Sequence, residues 1–201
     1  VSIGISSVAI FFVLRPDELS SSQFTEAKIS NLRMEYRRFP ELPTRREVEG
    51  YELRTFQAED ESAWAAILAA SDLGVWDRAR VDRLIAGERG AVPREGAFFA
   101  TFRGAPVATA HLEMRDDAGT VCSELSWVAV LPEHRGRNLA YPLCRAVLAY
   151  AQSAGHPYVI LKTQDFRIGA IKTYFNLGFE PKMEDPTQLQ RWNDLRAIIF
   201  V

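Results

Sequence analysis

From residue 51 onward, apolar and polar positions fall into short regular blocks. Tyr51 to Phe56 alternates as a brief strand. Asp60 to Ala70 opens with acidic residues and carries Trp64, Ile67 and Leu68 at helical spacing, which predicts an amphipathic helix. Residues 77–87 predict a second, more charged helix ending at a glycine. Ala97 to Phe102 and Pro106 to Arg115 read as strands about the turn Arg103-Gly104-Ala105, and Thr120 to Leu131 as the next, joined through Asp117-Ala118-Gly119. Arg137 to Ser153 predicts a long helix with Leu139, Leu143, Val147 and Tyr150 on one stripe, stopping at Gly155. Tyr158 to Lys162 is a short buried strand and Ile168 to Leu177 a helix closed by Gly178. A brief strand follows Phe179, and Pro186 to Ile199 forms a last helix carrying Trp192. The order β-α-α-β-β-β-α-β-α-β predicts a mixed α/β (α+β) domain, one sheet flanked by helices.

The first part of the chain lacks this rhythm. Val1 to Leu14 is nearly continuously apolar, too short to span a bilayer as a helix and without the basic start and small-residue cleavage site of a signal peptide. Residues 39–50, FPELPTRREVEG, are rich in proline and charge and read as an entry loop. Residues 1–45 are therefore expected to be an extension outside the catalytic fold, with room for a strand-like arm, and residues 46–201 the folded domain.

Composition narrows the field of functions. The 201 residues suffice for one domain with a real core, and 47% hydrophobic with 25% charged residues is ordinary for a globular protein. A net charge of −2 provides no general basic field, so neither a nucleic-acid nor a membrane partner is expected and any anion site must be local. Cys122 and Cys144 lie in apolar segments and read as reduced thiols of a cytoplasmic protein. Three histidines without paired ligand spacing give no reason to expect a metal.

The chemistry concentrates in Glu124 to Ala140, ELSWVAVLPEHRGRNLA, where an alternating strand runs through a proline into a basic turn and then a helix. A helix start presents backbone N–H groups that lack intrahelical partners, and its dipole favours an anion, so this is a candidate phosphate site. Arg135 and Arg137 would add fixed positive charge.

Two motifs here resemble the GNAT superfamily of acyl-CoA-dependent N-acetyltransferases, over about residues 50–185. Arg135-Gly136-Arg137-Asn138-Leu139-Ala140 is similar to the family's Arg/Gln-x-x-Gly-x-Gly/Ala turn, and Ala170-Ile171-Lys172-Thr173-Tyr174-Phe175-Asn176-Leu177-Gly178-Phe179 to its Ala-Ile-x-x-Tyr-x-x-x-Gly-Phe helix end. The resemblance implies a GNAT-like fold with a central, mostly antiparallel sheet. It also implies acetyl-CoA as co-substrate and transfer of the acetyl group to a primary amine of a small molecule or peptide. Backbone amides from Arg135 to Ala140 would cradle the pyrophosphate, and Val128, Ala129 and Val130 would pair with the pantetheine arm as an added strand. An N–H of that strand would polarise the thioester carbonyl. Tyr174 would protonate the leaving thiolate.

This sequence departs from the family in places. Asn138 replaces the middle glycine, and asparagine is the next best residue for left-handed backbone. Pro142 removes an early helix N–H. Lys162 and Arg167 stand where the branch acetylating ribosomal-protein N-termini has a glutamate and an asparagine. In the histone-acetylating branch a glutamate precedes the strand's alanine by five residues, which points to Glu124 as the general base. A two-residue turn between Asp117 and Thr120 would pair Glu113 with Glu124, His111 with Ser126 and Leu112 with Leu125. Strict alternation then places His111, Glu113, Glu124 and Ser126 on one face and Ala110, Leu112, Leu125 and Trp127 on the other. Facing carboxylates would raise at least one pKa. Against this stands the reading of a plain solvated sheet face.

A non-catalytic acyl-CoA-binding sensor is the competing function, kept open by Asn138 and Lys162; transfer to an aminoacyl-tRNA is a further one, disfavoured by the charge. Trp192 and the last helix read as a cover on the sheet or a homodimer contact, and Trp76, Asp165, Phe166 and Arg167 as candidate lining for the acceptor pocket.

Overall fold

A computed structural model describes residues 30–39, 41–71, 73–87 and 90–200. The apolar stretch at residues 1–14 lies outside the described residues. Strands β1 (Leu32–Tyr36), β2 (Tyr51–Thr55), β3 (Ala97–Phe102), β4 (Ala105–Asp117), β5 (Thr120–Val130), β6 (Val159–Thr163) and β7 (Glu180–Lys182) form one sheet in the order β2-β3-β4-β5-β6-β1-β7. All neighbours are antiparallel except β5 and β6. The helices are α1 (Glu61–Ala69), α2 (Arg78–Ile85), α3 (Ala140–Ser153), α4 (Ile168–Leu177) and α5 (Gln188–Ile199).

Each face of the sheet has its own core. Trp64, Ile67 and Leu68 of α1 and Val81 and Leu84 of α2 are buried with Phe99 and Ala129 on one side. On the other, Leu143 and Val147 of α3, Ile171 and Leu177 of α4 and Trp192 of α5 pack against β1, β4 and β6. Trp192 is thus core, its ring 6.0 Å from that of Phe175, and α5 covers this face. The hairpin turns follow from their residues: Arg103-Gly104 and Ala118-Gly119 both have two positive φ angles, the geometry that matches the twist of flanking strands.

Two boundaries differ from the sequence expectation. Residues 32–36, assigned there to an extension ending at residue 45, form a strand inside the sheet between β6 and β7. Leu32, Met34 and Tyr36 are fully buried. They alternate with Arg33, Glu35 and Arg37, a two-residue period too short to stand out beside the apolar run before it. Helix α3 begins at Ala140 rather than Arg137, because Gly136 (φ 76°) and Asn138 (φ 61°) hold left-handed backbone that no α-helix contains.

Candidate active site

The site is built by a defect in β5. The hairpin register is as expected, with Glu113 opposite Glu124, Leu112 opposite Leu125 and His111 opposite Ser126, but Thr109 faces Ala129. Trp127 and Val128 therefore share one partner position, a β-bulge, with Trp127 at φ 50°. The bulge inverts the phase of the strand. Trp127, expected on the face opposite Glu113, lies on the same face. Its Nε1–H donates to Glu113 Oε1 at 2.8 Å, and its ring meets that of Trp76 edge-on at 4.8 Å.

From Leu125 onward, ahead of the bulge, β5 and β6 no longer pair. They pair in register only at Ser123–Val159 and Glu124–Ile160. The wedge between them is a cavity of about 390 Å³ lined by Glu124, Ser126, Trp127 and Val128 from β5, Lys162 and Thr163 from β6, and Tyr174 from α4. Tyr174 thereby meets the strand that sequence spacing paired with it. Desolvation pushes its phenol well above the usual tyrosine range, so it remains protonated at neutral pH.

At the far end of β5 the chain passes Pro132–His134 and enters the turn. Gly136 and Asn138 adopt the left-handed backbone, and a Cβ at Gly136 would meet nothing within 4 Å, leaving the outer side of the turn open. The first amides of α3, at Ala140 and Tyr141, have no carbonyl four residues back to bond within the helix. This arrangement fits a phosphate group. The two arginines differ in what they do. Arg135 donates Nε to the Val130 carbonyl (3.1 Å) and Nη2 to the Ala70 carbonyl (3.0 Å), bracing the turn against α1. Its own N–H donates to the Pro132 carbonyl. These bonds give the Arg135 side chain a bracing role beside its expected place at the anion site, while Arg137 is exposed at the turn. His134 accepts or donates at Nδ1 to Tyr51 Oη (2.8 Å), a structural contact of the same loop.

The expected carboxylate pair is also altered. Arg115 stands between the two acids, its Nε donating to Glu124 Oε2 (2.6 Å) and its Nη2 to Glu113 Oε2. They are bridged by a cation and do not repel one another across the ladder. Glu113 is fully buried and also receives His111 Nε2 at 3.3 Å. Desolvation lowers the pKa of His111, so it is a neutral imidazole that orients Glu113. Glu124 keeps an edge on the cavity. Glu113, Arg115 and Trp127 are the residues that sequence reasoning missed as a group. Their signal, a Trp–carboxylate pair out of phase with the strand, exists only once the bulge is seen.

Of the expected acceptor-side residues, Arg167 lines the cavity and Trp76 backs Trp127. Asp165 is instead tied to Arg191 through two hydrogen bonds, and Phe166 faces outward. Among the described residues no group of three or more His, Cys, Asp or Glu could hold a metal ion, and no helix is long and apolar enough to cross a membrane.

The sequence model of the acetyltransferase (GNAT) family matches residues 52–179, and the chain belongs to that family. Over 57 residues it is 39% identical to N-acetyltransferase 8B of Rattus norvegicus, covering 28% of this chain and 26% of that protein. It is 31% identical over 150 residues to mycothiol acetyltransferase of Thermobispora bispora, covering 70% of this chain and 48% of that protein. The solved GCN5-related N-acetyltransferase from Sphaerobacter thermophilus shares the fold, with a TM-score of 0.63 at 24% identity over 76% of this chain and 49% of that one. The chain thus spans half or less of the length of these relatives.

Proposed function

We propose that this GNAT family member moves an acetyl group from acetyl-CoA to a primary amine by direct attack, with Tyr174 as general acid. One observation carries the reading: a bulged strand and a buried, protonated tyrosine line the two sides of one wedge, whose strand leads straight into a left-handed turn and helix start. The turn amides from Gly136 to Ala140 would bind the pyrophosphate. The splayed edge of Val128–Val130 offers backbone groups to the amides of the pantetheine arm. A backbone N–H of the Val128–Val130 strand would donate to the thioester oxygen as it gains charge, an effect that can be worth roughly 3 kcal/mol.

The amine nitrogen attacks the carbonyl carbon, the C–S bond breaks, and the Tyr174 hydroxyl gives its proton to the thiolate sulfur. Tyr174 recovers a proton from solvent. The nitrogen loses its proton to Glu124, directly or through water. One oxygen of Glu124, Oε2, is already engaged by Arg115 Nε at 2.6 Å. That same pairing is what favours the alternative, a domain that binds acyl-CoA without turnover. Thiol release from acetyl-CoA across a broad panel of amines separates the two. Release that depends on the amine is the expected result. Tight coenzyme A binding with no release for any amine would sink the transferase reading.

A further inference from the structure

The wedge continues onto a part of the sheet beside it. A second cavity of about 380 Å³ is lined by Arg33, Arg115, Asp116, Asp117, Glu124 and Lys162, with Ile160 as floor. Glu124 and Lys162 line both cavities, so they mark the passage from the reacting centre to this second space. It lies on the face of the sheet that carries Glu113, Glu124 and Trp127, since Glu124 faces Ile160 in register and Lys162 is the next residue on that side of β6.

Charge in the second cavity is allocated unevenly. Arg33 holds Asp117 through two hydrogen bonds and also bonds Glu35. Arg115 bridges Glu113 and Glu124. Asp116 accepts from the Gly119 N–H. Among the described residues Lys162 makes no ion pair, although it is exposed beside these acids. It also stands directly opposite Arg33 in the β1–β6 register. Like charges placed opposite each other across a ladder cost stability, so Lys162 is not there to hold the sheet together. It offers three donors to an anion that comes from outside.

We propose that the acceptor is a small zwitterion, a primary amine that also carries a carboxylate, and that Lys162 is the residue that selects it by binding the carboxylate. This rests on the acetyl-transfer reading above and names the substrate class of that same site. The Cα atoms of Glu124 and Lys162 are roughly 8 Å apart from strand spacing and rise alone. The lysine stem closes that span to the few ångströms that separate the nitrogen and the carboxylate of an amino acid. A single carboxylate matches the ammonium of Lys162, which makes no ion pair among the described residues. A phosphate dianion would bring a second charge among Asp116, Asp117 and Glu124 with nothing left to balance it.

The experiment measures thiol release from acetyl-CoA with matched acceptors: amino acids, the amines formed by removing their carboxylate, and phosphoethanolamine. The amino acids are expected to have kcat/KM higher than their decarboxylated amines by roughly ten- to a hundredfold, the range of one charge-assisted hydrogen bond. In Lys162→Met that ratio collapses towards one, through KM for the amino acid rather than kcat, and Lys162→Arg restores it in part. Equal losses for both acceptor classes, a wild-type preference for the decarboxylated amines, or phosphoethanolamine outrunning the amino acids each overturn the proposal. Turnover confined to neutral amines leaves acetyl transfer standing and rejects the carboxylate. No turnover with any acceptor rejects both.

Discussion

Tyr174 shows how a single side chain takes its properties from its setting. It is part of the α3–α4 core and also lines the wedge, so the burial that fixes its rotamer also raises its pKa. A phenol that stays protonated in the resting protein keeps a proton to give, which is what the proposed general-acid role requires. Tyr174→Phe keeps the ring and its edge contact with Phe179, at 5.9 Å, and removes only the proton. Turnover should fall by roughly a hundredfold or more, the usual worth of general-acid catalysis. Calorimetry should find coenzyme A affinity nearly unchanged; equal losses in both would contradict the donor role. Glu113 is the opposite case, a carboxylate with no edge on the wedge that acts through what it holds. Glu113→Ala leaves Arg115 and the Trp127 indole short of an acceptor. Losing one partner of a buried pair costs 3–5 kcal/mol, and Arg115 retains Glu124, so about 3 kcal/mol is expected in chemical denaturation.

At the level of elements, the features that position the site are the departures from regular structure. The turn between β5 and α3 works because Asn138 accepts φ 61°. Left-handed backbone costs an ordinary L-residue about 1–2 kcal/mol, less for asparagine and nothing for glycine. Asn138→Gly should hold or tighten coenzyme A binding, whereas Asn138→Val should weaken it about tenfold. Titration calorimetry reads both, and a valine variant that binds normally would reject this turn as the phosphate cradle. Most regular elements were legible in the sequence, because alternation in β3 to β6 and the apolar stripes of α1, α3 and α4 reflect burial directly. The paired register of Glu113 and Glu124 followed from turn length alone. The bulge was not legible, since nothing in SWVAV says that two residues will share one partner, and with it went the facing of Trp127 and the Trp127–Glu113 bond. Arg115 could not be placed between the carboxylates either, because a register fixes faces and leaves the reach of a long side chain open. Strand β1 was present as LRMEY, yet its position between β6 and β7 is a long-range pairing that no local pattern encodes. Its side chains make a clear test: Met34→Ala should cost about 2–5 kcal/mol, the range for buried large-to-small changes, where an extension outside the fold would cost nothing.

The whole molecule must hold a sheet together across the wedge that forms the candidate site. On one side lie β2 to β5, on the other β6, β1 and β7, and the two parts pair through only Ser123–Val159 and Glu124–Ile160 in register. A wider pairing would close the wedge, so the join must be strengthened elsewhere. Asp117, at the end of β4, does this from the closed end: it accepts Arg33 of β1 at 3.0 and 2.6 Å and the Tyr158 hydroxyl, next to β6, at 2.7 Å. The Arg33 bonds, followed by that of Tyr158, depress the Asp117 pKa to about 2. Tyr158 rises to about 12, chiefly because it donates to that carboxylate. A carboxyl group whose folded pKa lies below its unfolded value adds stability that is fully present above the unfolded pKa, and loses it as pH falls through the folded one. For Asp117 that window runs from about pH 4 down to about 2. Denaturation curves across it should show stability falling with acid in the wild type and falling less steeply in Asp117→Asn, which starts lower because Arg33 has lost one charged partner and keeps Glu35 close by. Parallel slopes in the two proteins would mean that the join between the two parts of the sheet does not depend on this clamp.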